Sequence, residues 1–135
     1  HAISCTKTGW SSLTHNWVLH QALARSLRES KVQFVVEDTW PFRQRAREQN
    51  GRLNPLPMDI TTEAGALFDN HPRLNNKALL LDITIVNPCA GSNLGNTARH
   101  VEKHLADAVE RKNNKYWGSF PATYSLLPLA MSTCG

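Results

Sequence analysis

The chain has 135 residues, 41% of them hydrophobic and 19% charged, which is typical of a globular domain and excludes a collagenous or strongly biased composition. Fifteen Lys and Arg against eleven Asp and Glu give a net charge of +4, which mildly favours an anionic partner. No stretch approaches about 18 apolar residues, so we expect no transmembrane helix and no membrane partner. Three widely spaced cysteines do not form a secreted disulfide framework and indicate a reducing, intracellular compartment.

A first helix is predicted from a cap at Ser11 or Ser12 to about Ser30. Its stripe of residues at helical spacing is expected to face the core, with His20 packed there; the stripe comprises Leu13, Trp17, His20, Ala24 and Leu27.

Three strands are predicted to follow, at 32–37, 56–61 and 78–86. The segment 41–55 between the first two is polar and arginine-rich, with at most a short helical turn. The segment 62–77 before the third strand is a polar loop. In the second strand one face is predicted to carry Leu56, Met58 and Ile60, and the opposite face Pro57, Asp59 and Thr61.

A helix at 97–117 and a final strand at 123–131 complete the predicted elements. Pro128 lies inside that strand, which indicates an edge position or a bulge. The order α-β-β-β-α-β predicts an α/β fold with a central mixed β-sheet flanked by helices.

The strand "ALLLDITIV" carries a carboxylate, Asp82, where burial without a partner would cost several kcal/mol. Alternation places Asp82 and Thr84 on one face, and hairpin-like pairing would bring Asp59 beside Asp82. Two neighbouring carboxylates repel each other unless a proton or a cation lies between them, and Mg²⁺ favours such ligands. The alternative is that Asp82 caps a backbone amide or pairs with an arginine.

Lys112 falls near the middle of the apolar stripe of the last helix, and Lys115 lies at the edge of that stripe. A lysine that faces the core needs a carboxylate or a route to water. Lys112 could therefore reach the acidic pair and stabilise charge on a phosphate. The alternative is that it extends past Tyr116 into solvent.

Four segments, in order, carry a resemblance to a known family: "GRLNPLPMDI", "LLLDITIVNPCAGSN", "ERKNNKY" and "SLLPLAMSTCG". They resemble the restriction-endonuclease-like domain of the PD-(D/E)XK superfamily, in the version that follows the reverse transcriptase of some non-LTR retrotransposons and related retroelement proteins. "HAISCTKTGW" followed by "THN" is similar to the His/Cys segment that precedes the nuclease in such proteins. We therefore expect a piece of a longer polypeptide, with residues 1–11 a remnant of that segment and 12–135 the nuclease domain.

The resemblance implies catalytic roles for Asp59, Asp82, Lys112 and Tyr116, with Asp59 and Asp82 as metal ligands. The superfamily places a lysine two residues after the second acid, where this chain has Thr84. In the retroelement branch a Lys-x-x-x-Tyr pattern on the next helix replaces it, matching Lys112 and Tyr116. The proline of the motif is also one residue further from its acid than usual, so a degenerate, inactive copy is the alternative.

The implied activity is that of an Mg²⁺- or Mn²⁺-dependent DNA endonuclease, with a backbone carbonyl near Ile83 as a further ligand. Nicking of target DNA would prime reverse transcription in the nucleus. The implied partners are DNA and the upstream reverse transcriptase and nucleic-acid-binding domains, and pairing of two copies stays open. The alternative is an inactive nuclease-fold module that binds nucleic acid or a protein.

Basic residues in two places are candidates for contact with the DNA backbone, or else form a solvated face. They are Arg43, Arg45, Arg47 and Arg52 in the connection, and Arg99, Lys103, Arg111 and Lys115 on the last helix. The four tryptophans are expected to be core or edge residues.

Zinc is not expected in this chain, although four residues raise the question: His1, Cys5, His15 and His20. His15 and His20 would lie about 140° apart on a regular helix, and the family's upstream cysteine pair is absent. His15 could instead approach the nuclease site, since the family has a His-Asn pair at this place.

Overall fold

The computed structural model describes residues 10–41, 47–49, 52–54, 57–68, 70–87 and 101–132. Most of the predicted His/Cys remnant, residues 1–11, lies outside these ranges. None of the helices in the described ranges has the length and apolar character that crossing a bilayer requires.

The first helical stretch has three parts. They are α1 (Trp10–Trp17), a π-helical segment (Val18–Leu23) and α2 (Ala24–Glu29). The helix was predicted at this place, but its irregular π-helical part was not. The backbone N–H of Ala24 donates to the carbonyl of Leu19, five residues earlier, which is the bond of a π-turn.

The π segment moves the buried face of this stretch. The buried residues are Val18, Leu19, Ala24 and Leu27. Leu13 and Trp17 are 66% and 62% exposed, and His20 is also exposed, so the prediction that these three face the core was wrong. The reason is that the predicted stripe assumed 3.6 residues per turn throughout, whereas a π-turn is wider.

Four strands form a mixed sheet in the order β1-β4-β5-β6. They are β1 (Phe34–Asp38), β4 (Met58–Thr62), β5 (Ala78–Val86) and β6 (Tyr124–Ser132). The pairs β1–β4 and β4–β5 are antiparallel, and β5–β6 is parallel. The helix α3 (Val101–Tyr116) lies between β5 and β6 in the chain and provides the crossover that a parallel pair requires.

The arginine-rich connection contains a feature that the sequence did not predict. Two short strands, β2 (Arg47–Gln49) and β3 (Arg52–Asn54), pair as a separate antiparallel hairpin. The segment also begins with 3₁₀ geometry at residues 40–41, which agrees with the short helical turn considered for it.

Helices cover both faces of the sheet. One core joins Leu79, Leu81 and Ile83 of β5 to Val18 and Leu19 of the first helical stretch. A second core, on the opposite face, contains Met58, Leu80 and Tyr116. Alternation along β5 explains the division, because odd and even positions point to opposite faces.

The α/β class and the mixed central sheet were predicted from the sequence and are confirmed. The strand β6 has one neighbour in the described sheet, as Pro128 indicated. The tryptophans differ from expectation, because Trp17, Trp40 and Trp117 are all more than half exposed, Trp117 by 85%.

Candidate functional site

Asp82 lies at the centre of β5 and is buried, with 4% of its surface exposed. Its Oδ1 accepts a hydrogen bond of 3.3 Å from the hydroxyl of Tyr116. Its Oδ2 lies 2.7 Å from Nζ of Lys112. Both partners come from α3, so the buried carboxylate is met by two side chains of one helix.

The contact between Lys112 and Asp82 is an ion pair without hydrogen-bond alignment. Within the described residues Oδ2 accepts no hydrogen bond despite the short distance to Nζ. Attraction between opposite charges depends weakly on angle, so the ion pair stands. The charge of Lys112 thus neutralises the carboxylate of Asp82, but Oδ2 can still accept a hydrogen bond. Thr84 Oγ1, two residues further along β5, is buried without a hydrogen-bond partner in the same part of the chain.

Helical spacing explains why Lys112 and Tyr116 reach Asp82 together. They are four residues apart and therefore share a face of α3. The side chain of Lys112 is 24% exposed, which leaves a route to water and corresponds to a partly buried position. The prediction that Lys112 faces the sheet is confirmed, and the alternative that it extends past Tyr116 into solvent is not what the structure shows.

Tyr116 links a second lysine to the acidic group. Lys115 Nζ donates to the Tyr116 hydroxyl at 3.3 Å and lies 4.8 Å from the centre of its ring. Burial raises the pKa of Tyr116 well above its ordinary range, and the charge of Asp82, its hydrogen bond and the charge of Asp59 raise it further. Tyr116 is therefore a neutral donor at physiological pH.

Asp59 lies on β4, beside the centre of β5. Its Oδ2 accepts the backbone N–H of Ile83 at 2.6 Å and lies 3.1 Å from Nε2 of His15. Ile83 follows Asp82 directly in the chain, and both acids act on the pKa of Tyr116. The two acids therefore lie on adjacent, paired strands.

The strand β4 reaches this arrangement through a break in its regular pleat. The β4–β5 ladder pairs Ile60 with Leu81 and Thr61 with Leu80. At the next residue of β4, the carboxylate of Asp59 accepts a hydrogen bond from the backbone N–H of Ile83. Met58 packs against the second core, whereas Ile60 packs in the first. The predicted shared face of Met58 and Ile60 was wrong, because the alternation is interrupted between them, at Asp59, whose side chain accepts the Ile83 amide.

The neighbouring strand β1 is distorted at the same level. It pairs Val36 with Ile60 and Asp38 with Met58, and Glu37 between them has a φ of 52°. A left-handed conformation is uncommon for a residue other than glycine. The irregularity at Asp59 therefore extends across two strands.

The candidate DNA contacts are only partly described. Arg111 and Lys115 are exposed on α3, near the end of the helix that carries Lys112. Arg47 lies in β2. Arg43, Arg45 and Arg99 lie outside the described residues, and Arg52 begins β3.

The zinc question is answered only for the described part of the chain. His15 contacts Asp59, whereas His20 is exposed, and His1 and Cys5 lie outside the described ranges. Within those ranges no group of three or more His, Cys, Asp and Glu side chains is arranged to hold a metal ion.

The two carboxylates of Asp59 and Asp82 still suit Mg²⁺ in their number and kind. Mg²⁺ needs only one or two carboxylates from the protein and keeps several waters. Asp59 and Asp82 provide two carboxylates, and Oδ2 of Asp82 is a buried oxygen without a hydrogen bond from the described residues. In the structure Lys112 supplies the positive charge at this oxygen.

Sequence reasoning missed three features of this site. The contact of Lys115 with Tyr116 was not foreseen, although their adjacency in the sequence allowed it. The hydrogen bond from the Ile83 amide to Asp59 was also not foreseen, since only a backbone carbonyl near Ile83 was considered, as a metal ligand. The π segment leaves no recognised signal in the sequence.

Comparison with known proteins gives no further identification. No family model matches the chain, and no curated protein or solved structure matches it. The resemblance to retroelement nucleases therefore rests on the motifs themselves.

Proposed function

We propose that this chain is a restriction-endonuclease-like domain of a retroelement protein. In this proposal it is an Mg²⁺- or Mn²⁺-dependent endonuclease that nicks DNA by phosphodiester hydrolysis, and the nick primes reverse transcription. The observation that carries the proposal is the buried carboxylate of Asp82, which Lys112 and Tyr116 of α3 both contact, with Asp59 on the adjacent strand.

The four residues suit the chemistry in complementary ways. A divalent cation held by Asp59 and Asp82 would activate water and neutralise charge on the phosphate. The ammonium group of Lys112, 24% exposed, is a second positive charge for a phosphate that approaches from solvent. Tyr116 donates to Oδ1 of Asp82 and thereby fixes the plane of that carboxylate.

The charge around the site is compatible with DNA as substrate. Arg111 and Lys115 are exposed on α3, the helix that also presents Lys112. Side chains of this kind contact phosphates without reading sequence. The four ordered motifs, which span most of the chain, support the retroelement assignment.

A second candidate function has one specific observation in its favour. Lys112 lies 2.7 Å from Asp82, so an ammonium group already stands where a metal ion would neutralise that carboxylate. In a descendant that has lost catalysis, this ion pair would be a fixed structural contact. Such a module would bind nucleic acid or a protein without cleaving DNA.

The experiment that tests the proposal is cleavage of supercoiled plasmid by the chain in Mg²⁺ or Mn²⁺. Asp82→Asn removes the central carboxylate charge and is compared with Glu110→Gln. Glu110 is exposed on α3, so this control changes the net charge equally without touching the site. The nicked product is then tested for a free 3′ end by extension with a DNA polymerase.

The proposal expects nicking that needs the metal, persists in Glu110→Gln and is lost in Asp82→Asn. The nick should carry a 3′ end that the polymerase extends. Cleavage that survives in Asp82→Asn would contradict the proposed site. A parent chain that binds DNA but does not cleave it in either metal would favour the non-catalytic module.

A further inference from the structure

We infer that His15 is a positioning residue for Asp59, which orients the carboxylate toward the bound cation; this inference rests on the proposed function. His15 Nε2 lies 3.1 Å from Asp59 Oδ2, between partly buried side chains that are 29% and 18% exposed. The residues are 44 positions apart in the chain, so the contact joins two distant elements, α1 and β4. Partial burial shields this bond from competition with water.

The direction of the hydrogen bonds gives His15 its role. An ionised carboxylate only accepts, so the Nε2 atom of His15 carries the proton in this contact. The second donor to Asp59, the N–H of Ile83, reaches the same oxygen, Oδ2, at 2.6 Å. Two donors on one oxygen restrict the rotation of the carboxylate, and the inference assigns the other oxygen, Oδ1, to the cation. Hydrogen bonds of this kind orient carboxylates that bind metals.

The π segment explains how His15 comes to face the sheet. Leu19 and Ala24 are both 1% exposed, although five residues on a regular α-helix would separate them by about 140°. The wide π-turn places both in the core, which fixes the rotation of α1 relative to α2. His15, on α1, is then directed to Asp59. Rare π-turns of this kind often mark functional sites.

His15 acts through Asp59 and is not itself a metal ligand. In the described ranges no cluster of three or more His, Cys, Asp and Glu groups is arranged to hold an ion. The nitrogen that faces Asp59, Nε2, carries a proton in this contact and so has no lone pair for a metal ion. The cation would therefore depend on His15 indirectly, through the orientation of the carboxylate.

The test is Mn²⁺ binding by calorimetry to the full chain at one fixed pH. We compare the parent with His15→Ala, which removes the donor, and with His15→Gln, whose amide can donate in its place. His20→Ala is the matched control, because His20 belongs to the same helical stretch but is exposed. Urea unfolding of each variant verifies that it is folded.

The inference expects His15→Ala to weaken Mn²⁺ binding by roughly tenfold, the lower end of such effects. His15→Gln should retain most of the affinity, and His20→Ala should bind as the parent does. Equal affinity of the parent and His15→Ala would overturn the inference while leaving the proposed function intact. Failure of His15→Gln to restore binding would also overturn it, because the hydrogen bond would then not be what matters.

A parent chain that binds no Mn²⁺ would instead contradict the proposed function. In that case a double-mutant cycle decides the inference, using unfolding of His15→Ala, Asp59→Ala and the double variant. Losses of stability that are less than additive would show that His15 positions Asp59 in the absence of metal. Additive losses would overturn the inference.

Discussion

Lys112 Nζ lies 2.7 Å from Asp82 Oδ2, and this ion pair joins α3 to the centre of the central strand β5. The carboxylate is buried, whereas the lysine keeps partial access to water. The pair is therefore both a structural contact and a charge that a phosphate could approach. Its two roles can be separated by measuring stability and cleavage on the same variants.

Replacement of Lys112 with methionine should destabilise the chain. It leaves the charge of Asp82 buried without its ion-pair partner, and breaking a fully buried pair costs about 3–5 kcal/mol. Because Lys112 is 24% exposed, water screens part of the interaction, and we expect about 2 kcal/mol. Urea unfolding measures this loss, and cleavage of plasmid should be lost in the same variant.

The control for this prediction is Lys103→Met, since Lys103 is exposed on the same helix. It should change the free energy of unfolding by less than about 0.5 kcal/mol. The double variant Lys112→Met/Asp82→Leu should recover much of the lost stability, because an apolar pair can replace a buried ion pair. Equal stabilities of Lys112→Met and Lys103→Met would show that the ion pair is absent in solution.

Because the pKa of Tyr116 is raised in the folded chain, we predict that the chain loses stability at alkaline pH. In the unfolded chain its pKa returns to the ordinary value of 10.0, whereas burial and the neighbouring acids hold the folded pKa higher. Between the two values the folded chain keeps a proton that the unfolded chain releases. The contribution to stability is therefore complete below about pH 10 and is lost as pH rises from there through the folded pKa.

The measurement is urea unfolding of Tyr116→Phe and the parent between pH 8 and pH 11. Lysines also titrate in this range, so the matched control is Tyr124→Phe, which keeps the Tyr116 hydroxyl. The parent and Tyr124→Phe should lose stability more steeply above about pH 10 than Tyr116→Phe does. Parallel pH curves for all three chains would rule out a protonated Tyr116 as the cause.

Asp59 is predicted to hold the backbone of β5 through the Ile83 amide. Asp59→Ala leaves this N–H without its acceptor, and the expected cost is about 1–3 kcal/mol. Asp59→Asn keeps an acceptor oxygen and should cost less. Amide hydrogen exchange at Ile83 should become faster in Asp59→Ala than in Asp59→Asn, and equal exchange in both would contradict the contact.

DNA binding should depend on salt through the exposed basic residues of α3. Each phosphate contact contributes roughly one unit to the slope of log affinity against log salt concentration. We therefore expect Arg111→Ala and Lys115→Ala each to reduce that slope by about one. Lys31→Ala, an exposed lysine after α2, is the control and should leave it unchanged. Equal slopes in all the variants would place the DNA on a different surface.

The sequence predicted those parts of the structure that depend on regular periodicity. The strand at Asp82 and the helix that turns Lys112 toward it follow from alternation and from 3.6 residues per turn. The class of fold follows from the order of these elements. The meeting of Lys112 with Asp82 could be foreseen, because a lysine that faces the core and a buried carboxylate on consecutive elements neutralise each other.

The features that could not be predicted are departures from regular geometry. The π-turn at Val18–Leu23 exposes Trp17 and His20 and buries Val18, against the helical-wheel expectation. The break in β4 depends on one side chain, Asp59, taking a backbone amide from another strand. The π-turn and the break in β4 both depend on tertiary packing, which local propensity does not determine.

The central claim is that Asp59 and Asp82 hold one divalent cation beside the Ile83 amide. The most direct test is selective broadening of amide NMR signals by Mn²⁺, which is paramagnetic. We predict that the signals of Asp59, Asp82 and Ile83 broaden first, and that Asp82→Asn removes the effect. Broadening confined to exposed acids such as Glu102 and Glu110, with the Ile83 signal unchanged, would contradict a metal site and with it the proposed nuclease.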